Sequence, residues 1–306
     1  MRPPNGQLRT AWRARLALLP FTLVALHCSI KSPAGASPER PPPSSIHLRP
    51  DAGPPAVAAP SPAATPPEAA AIAGAASITP PTPPPPSGTT ALPLPSFLPS
   101  LVSWPQTDRW PQPLLIAAHG AGDSAESQCE VWRELLGPHG VVLCLRGKAM
   151  DRRSPQYGFY FPDHLELERE FTAAMESLVR AHPGLVDAQR SLYAGYSQGG
   201  QMGLLMLLGR GAQVPRLLLV EGGAGDWTLP RVRRFKRSGG ERVAILCGTP
   251  GCAQRATASA ARLEAAGLRS YAHYVPGGGH TYGGSMLPEL RKAFAELTED
   301  DPRWQP

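Results

Sequence analysis

Leu192-Tyr193-Ala194-Gly195-Tyr196-Ser197-Gln198-Gly199-Gly200 carries the reading on which the fold rests. A short apolar run enters a G-x-S-x-G pentapeptide, and beyond it the apolar spacing becomes that of a helix over 198–208. Strand, sharp turn and helix in that order push a serine hydroxyl into the open at the helix N-terminus, where the macrodipole favours developing negative charge. Glycine is needed on both sides because a side chain there would strike the neighbouring strand or helix. Ser197 is accordingly the candidate nucleophile, with a bare tight turn as the alternative.

Outward from this turn, strand-like runs at 114–118, 141–145, 192–194, 217–220, 243–247 and 271–275 alternate with helical periods at 126–136, 164–181, 198–208, 254–266 and 286–297. The alternation predicts an α/β fold, a mostly parallel sheet covered by helices on both faces, with its chemistry in the loops after the strands. The loop after the first run, His119-Gly120-Ala121-Gly122-Asp123, is small enough for its backbone to approach a substrate. The N–H groups of Ala121 and of Gln198 are the candidate oxyanion donors; the structural alternative is a turn with Asp123 as a helix cap. After the last run, Gly277-Gly278-Gly279-His280-Thr281 makes a flexible approach that can bring an imidazole over the sheet edge. His280 is therefore the candidate general base, and His119, His139, His164, His182 and His273 are expected in structural or solvent-facing roles.

Taken together, HGAGD, GYSQGG and GGGH resemble the phospholipase/carboxylesterase and acyl-protein thioesterase branch of the α/β-hydrolase superfamily over residues 114–297. Gln198 and the doubled glycine make the match more specific than the pentapeptide alone. The resemblance implies a Ser-Asp-His serine esterase that acts on carboxylic esters or thioesters without metal or organic cofactor. At one point the sequence departs from that branch, whose acid follows the penultimate strand in a G-T-x-D context. Here Cys247-Gly248-Thr249-Pro250-Gly251-Cys252 puts Gly251 in the aspartate's place. Loss of the acid costs about 10⁴ in rate in a protease template. Asp226 and Glu221, both after the preceding strand, are the substitutes; Asp226 lies farther into its loop and is preferred, with Glu221 as the alternative. A Ser-His dyad or a noncatalytic binding domain are the other readings, and an acyltransferase would use the same residues.

Four cysteines in this region, Cys129, Cys144, Cys247 and Cys252, allow three disulfide connectivities. Cys247 with Cys252 and Cys129 with Cys144 is the favoured one, and free buried thiols are the alternative. The spacing fits no metal site. The aromatic stretch from Gln156 to Pro162 offers Tyr157, Phe159 and Tyr160 either as walls of a substrate pocket or as core packing.

The 306 residues contain 38 prolines, too many for one compact domain, and 21 of them fall between Pro33 and Pro99. Few large apolar groups accompany them, so 37–100 reads as a disordered linker and 101–306 as one folded domain, with the short apolar pieces Leu92, Leu94, Phe97, Leu98 and Leu101 as an alternative beginning of the fold. Residues 1–100 hold seven Lys/Arg against three Asp/Glu, which leaves the remainder nearly neutral despite a net charge of +6. No nucleic-acid partner is therefore expected, and the short basic run at Arg231, Arg233, Arg234, Lys236 and Arg237 reads as a solvated helix face or loop. Arg2, Arg9, Arg13 and Arg15 precede an apolar stretch at 16–26 that is too short to span a bilayer, so 1–36 reads as an export signal. Cleavage after Ala34-Gly35-Ala36 would release a periplasmic or secreted protein, whereas lipid attachment at Cys28 would tether it to a membrane. The expected protein is an exported monomer acting on a small-molecule or polymer-attached ester.

Overall fold

The computed structural model describes residues 86–151 and 153–305. The export signal expected at 1–36, Cys28 and the linker as far as residue 85 lie outside the described residues.

The main sheet runs in the order β1 (Gly88–Leu92), β2 (Ser100–Trp104), β4 (Val141–Leu145), β3 (Gln112–Ala118), β7 (Val186–Tyr196), β8 (Arg216–Val220), β9 (Arg242–Cys247) and β10 (Arg269–Tyr274). β2 is antiparallel to both β1 and β4, and every pairing from β4 to β10 is parallel. β5 (Lys148–Ala149) and β6 (Phe159–Tyr160) form a separate ribbon. Five of the strands, β3, β7, β8, β9 and β10, begin earlier than their apolar runs, β7 by six residues, because Val186-Asp187-Ala188-Gln189-Arg190-Ser191 is a polar, half-exposed entry.

The linker boundary expected at residue 100 is corrected by the structure. β1 lies within that stretch, and Leu92 and Leu94 are buried in the core. Its sequence, Gly-Thr-Thr-Ala-Leu, has one large apolar residue among prolines, too little for a strand signal; pairing with the apolar β2 holds it.

The helices are α1 (Ala125–Leu136), α2 (His164–Ala181), α3 (Gln198–Leu207), α4 (Leu229–Arg237), α5 (Pro250–Ala265) and α6 (Leu287–Thr298). Ser124 Oγ accepts from Ser127 N to start α1, and Asp163 accepts from Leu165 N and Glu166 N to start α2, satisfying amides that lack intrahelical partners. Alternation along the strands divides the core into two layers. Leu114, Ile116 and Ala118 of β3 pack with Leu167, Phe171, Leu204, Phe235 and Leu263 of α2 to α5. Leu115 and Ala117 pack on the opposite face with Trp132 of α1 and Leu290 and Leu297 of α6. Full burial of each leucine, isoleucine or phenylalanine among them contributes about 1.5–3 kcal/mol. On α4, Val232 and Phe235 face the core and Arg233, Arg234, Lys236 and Arg237 face water. Disulfides join Cys129 of α1 to Cys144 of β4, and Cys247 at the end of β9 to Cys252 in the first turn of α5. Among the described residues no helix is long and apolar enough to cross a membrane.

Candidate active site

The carboxyl ends of β3, β7, β8, β9 and β10 meet at one rim of the sheet. Ser197 stands between β7 and α3 with φ +48° and ψ −112°, a left-handed backbone forced by the immediate reversal from strand to helix. The turn is closed from two sides. A Cβ on Gly199 would lie 2.1 Å from Ala118 O, and one on Gly222 would lie 2.1 Å from Ser197 O. Glycine at these positions is a requirement of backbone contact.

Ser197 Oγ lies 2.8 Å from His280 Nε2, and His280 Nδ1 lies 3.0 Å from Glu221 Oε2. Glu221 immediately follows β8, held at φ +50° and buried to 8% exposure. Its Oε1 accepts from Gly248 N at 2.5 Å and Thr249 N at 2.8 Å, and Oε2 accepts from Thr249 Oγ1 at 3.0 Å. Gly279 N in turn donates to Gly248 O at 3.1 Å, so the histidine loop and the glutamate cradle share one backbone contact. With Nδ1–H donating to the carboxylate, Nε2 is left as the acceptor for the serine hydroxyl.

Asp226 does not reach the histidine, and the expectation that it does is corrected: its Oδ1 is 3.1 Å from Arg231 Nη1, which also donates to the Asp226 carbonyl. Glu221 fills the gap left by Gly251 because the Gly248-Thr249 turn, which carries no acid here, turns its amides onto a carboxylate from the neighbouring strand. The Cys247–Cys252 bridge closes that turn. Glu221, Cys247 and Cys252 cluster closely, but both sulfurs are bonded to each other and are not thiolate ligands.

The His119-Gly120-Ala121-Gly122-Asp123 loop lies against the serine turn: a Cβ on Gly120 would be 3.1 Å from Ser197 Cβ. Gly122 N and Asp123 N are satisfied by Phe159 O and Gly120 O. Among the described residues, Ala121 N–H and Gln198 N–H have no backbone acceptor, the condition an oxyanion donor must meet before substrate arrives. The Gln198 side chain is used elsewhere, its Oε1 accepting from Phe161 N at 2.9 Å. Buried His119 bridges Gly120 O and Arg146 O, at 2.7 and 2.8 Å from its two ring nitrogens.

A cleft of about 570 Å³ opens beside Ser197, with Gln201, Met202, Ala224, Asp226 and Arg255 among its walls. The aromatic stretch expected as a pocket wall lies elsewhere. Tyr157 is exposed, Tyr160 pairs with Lys148, and Phe159 exchanges backbone hydrogen bonds with the Gly122-Asp123 turn. Its role is to brace that turn from behind, because β5 and β6 hold it as an edge ribbon.

Two tyrosines that the sequence did not single out complete the rim. Tyr196 Oη donates to His280 O at 2.7 Å, and Tyr282 Oη donates to Asp123 Oδ2 at 2.7 Å, with the two rings 4.6 Å apart. Burial, with the carboxylates of Asp123 and Glu221 nearby, pushes the Tyr196 phenol up; burial and the Asp123 hydrogen bond do the same to Tyr282. Both therefore stay neutral donors at ordinary pH. Tyr196 is the x of G-x-S-x-G, and that placement was its one sequence signal.

No protein-family model and no curated protein matches the sequence. Solved structures do. Dienelactone hydrolase from Anabaena variabilis is similar at a TM-score of 0.52 and 14% identity, over 69% of this chain and 95% of that one. Est1E from Butyrivibrio proteoclasticus is similar at 0.51 and 14%, over 70% of this chain and 100% of that one. The likeness is one of architecture, and the chain has the α/β-hydrolase fold.

Proposed function

We propose that the protein is a serine hydrolase that cleaves carboxylic esters or thioesters through an acyl-Ser197 intermediate. The hydrogen-bonded series from Ser197 Oγ through His280 to Glu221 carries the reading. Ser197 Oγ attacks the carbonyl carbon as its proton passes to His280 Nε2. The carbonyl π electrons move onto oxygen, where the N–H groups of Ala121 and Gln198 stabilise the charge, each by about 3 kcal/mol. Collapse breaks the bond to the alcohol or thiol, which leaves with the proton from Nε2. Water repeats the sequence: its proton goes to Nε2, its oxygen to the acyl carbon, and Ser197 regains a proton as the acid departs. Glu221 remains a carboxylate throughout and holds the imidazole in the required tautomer.

The noncatalytic reading rested on Gly251, and the Glu221 contact supports catalysis in its place. Two disulfides favour an oxidising compartment, which supports export. Hydrolysis of short nitrophenyl esters by the wild type, lost in Ser197→Ala, is the expected result. Equal rates for the two proteins would sink the proposal.

A further inference from the structure

The cleft beside Ser197 is bordered by Arg255, a cation without a partner among the described residues. Arg255 lies on α5 one turn beyond Gly251, and helical side chains lean back towards the N-terminus. Its stem runs past Gly225, where a Cβ would meet Cδ at 2.9 Å. Its guanidinium hangs over Gly251, where a Cβ would be 3.5 Å from Nη1. Arg255 itself and Gly225 border the cleft that contains Ser197, Gln201 and Asp226.

Carboxylates that could neutralise Arg255 are committed elsewhere. Asp226 is paired with Arg231, and Glu221 is occupied by Gly248, Thr249 and His280. Among the described residues Arg255 has no ion-pair or hydrogen-bond partner. Arg146, Arg210, Arg216 and Arg303 pair with Glu126, Glu168, Asp301 and Asp187; exposed Arg255 resembles Arg233, Arg237 and Arg262 in lacking a partner among the described residues, and differs from them in lining the cleft beside Ser197. The cleft is also poor in apolar walls, which are limited to Met202, Ala224 and the Cys252 half of a disulfide.

Gly251 connects this free cation to the site. An aspartate there would put its carboxylate against the guanidinium. With the acid supplied from Glu221, position 251 is bare and Arg255 faces the cleft uncompensated. A planar guanidinium with parallel N–H donors is matched by a carboxylate, which it binds in bidentate fashion.

We propose that Arg255 is a specificity-determining subsite and that the substrates are esters carrying a carboxylate in addition to the scissile group. The proposal rests on the hydrolase reading of Ser197. A neutral ester of the same length fills the same space without satisfying the cation, so charged substrates are favoured by about 10- to 100-fold in kcat/KM.

The test compares the mono-nitrophenyl ester of adipic acid with nitrophenyl hexanoate, which differs from it in lacking the terminal carboxylate. Wild type is expected to prefer the charged ester at least tenfold. Arg255→Ala should lose that preference, Arg255→Glu should invert it, and Arg255→Lys should restore part of it. A wild type indifferent to charge, or a fall of both esters in step in Arg255→Ala, would overturn the proposal. Failure of the hydrolase reading is separated by titrating adipate monoamide and hexanamide into Ser197→Ala by calorimetry, where no turnover is needed. Tighter binding of the charged amide that disappears in Ser197→Ala/Arg255→Ala supports the subsite even if neither ester is hydrolysed; equal binding of the two amides rejects it.

Discussion

Glu221 Oε2 and His280 Nδ1 meet at 3.0 Å across 59 residues of chain, one from the end of β8 and the other from the loop beyond β10. Neither strand is adjacent to the other in the sheet, since β9 runs between them. The contact exists because the turn after β9 gives up its own acid and donates two backbone amides to the glutamate. Orientation of the imidazole is thus shared among three successive strand ends.

Glu221→Gln should reduce kcat for nitrophenyl esters by about 10⁴, because an amide favours the wrong histidine tautomer. Asp226→Asn breaks only a part-exposed pair with Arg231 and should cost less than about tenfold. Steady-state kinetics on both folded variants decide the matter, and the reverse order of losses would return the acid's role to Asp226.

The two disulfides should separate in their effects. Replacing Cys129 and Cys144 by serine removes a cross-link spanning 15 residues and should cost about 3 kcal/mol, or about 6–12 °C in Tm for a domain of this size. The bridge between Cys247 and Cys252 spans 5 residues, for which about 2 kcal/mol is expected. Only the second borders the Glu221 cradle, so its loss should lower kcat as well. Calorimetry and kinetics of the two double variants check this, and equal loss of kcat in both would contradict it.

Glu170 introduces a pH dependence of unusual sign. It is buried to 2% exposure and accepts from Arg146 N at 2.7 Å and Gly147 N at 3.0 Å. Burial outweighs these bonds and pushes its pKa up. The native state therefore keeps this proton at pH values where the unfolded chain has lost it, and the contribution to stability falls as pH rises from the ordinary carboxylate range through the raised native value. Glu170→Gln keeps one carbonyl acceptor and does not titrate. Its Tm relative to wild type should climb as pH rises above the ordinary carboxylate range near about 4; a relative Tm that declines there would show that the carboxylate is favoured by folding.

Much of the sheet was legible because its parallel strands are buried on both faces and read as apolar runs, such as Val141-Val142-Leu143-Cys144-Leu145. Leu92 and Leu94 are legible as apolar pieces that begin the fold, but the strand β1 is not, because its stability comes from pairing with β2, a long-range term. Ser197 and His280 could be placed because each follows a run and carries its own glycines. The choice between Glu221 and Asp226 could not, since it depends on which carboxylate the Gly248-Thr249 amides face. Loop position favoured Asp226, but five residues farther on the chain has already turned towards Arg231 of α4. Phe159 combines the two roles its stretch allows: its backbone braces the Gly122-Asp123 turn, and its buried ring borders a cleft with Phe97 and Leu98 rather than the one beside Ser197.

Intact-mass spectrometry after treatment with a fluorophosphonate tests the activated serine most directly. The wild type should gain one phosphonyl group at Ser197, Ser197→Ala none, and Glu221→Gln the same group at a rate slower by several orders of magnitude. A folded wild type that stays unmodified, or a Ser197→Ala variant that labels as fast as the wild type, would contradict the assignment of Ser197, His280 and Glu221 as a catalytic unit.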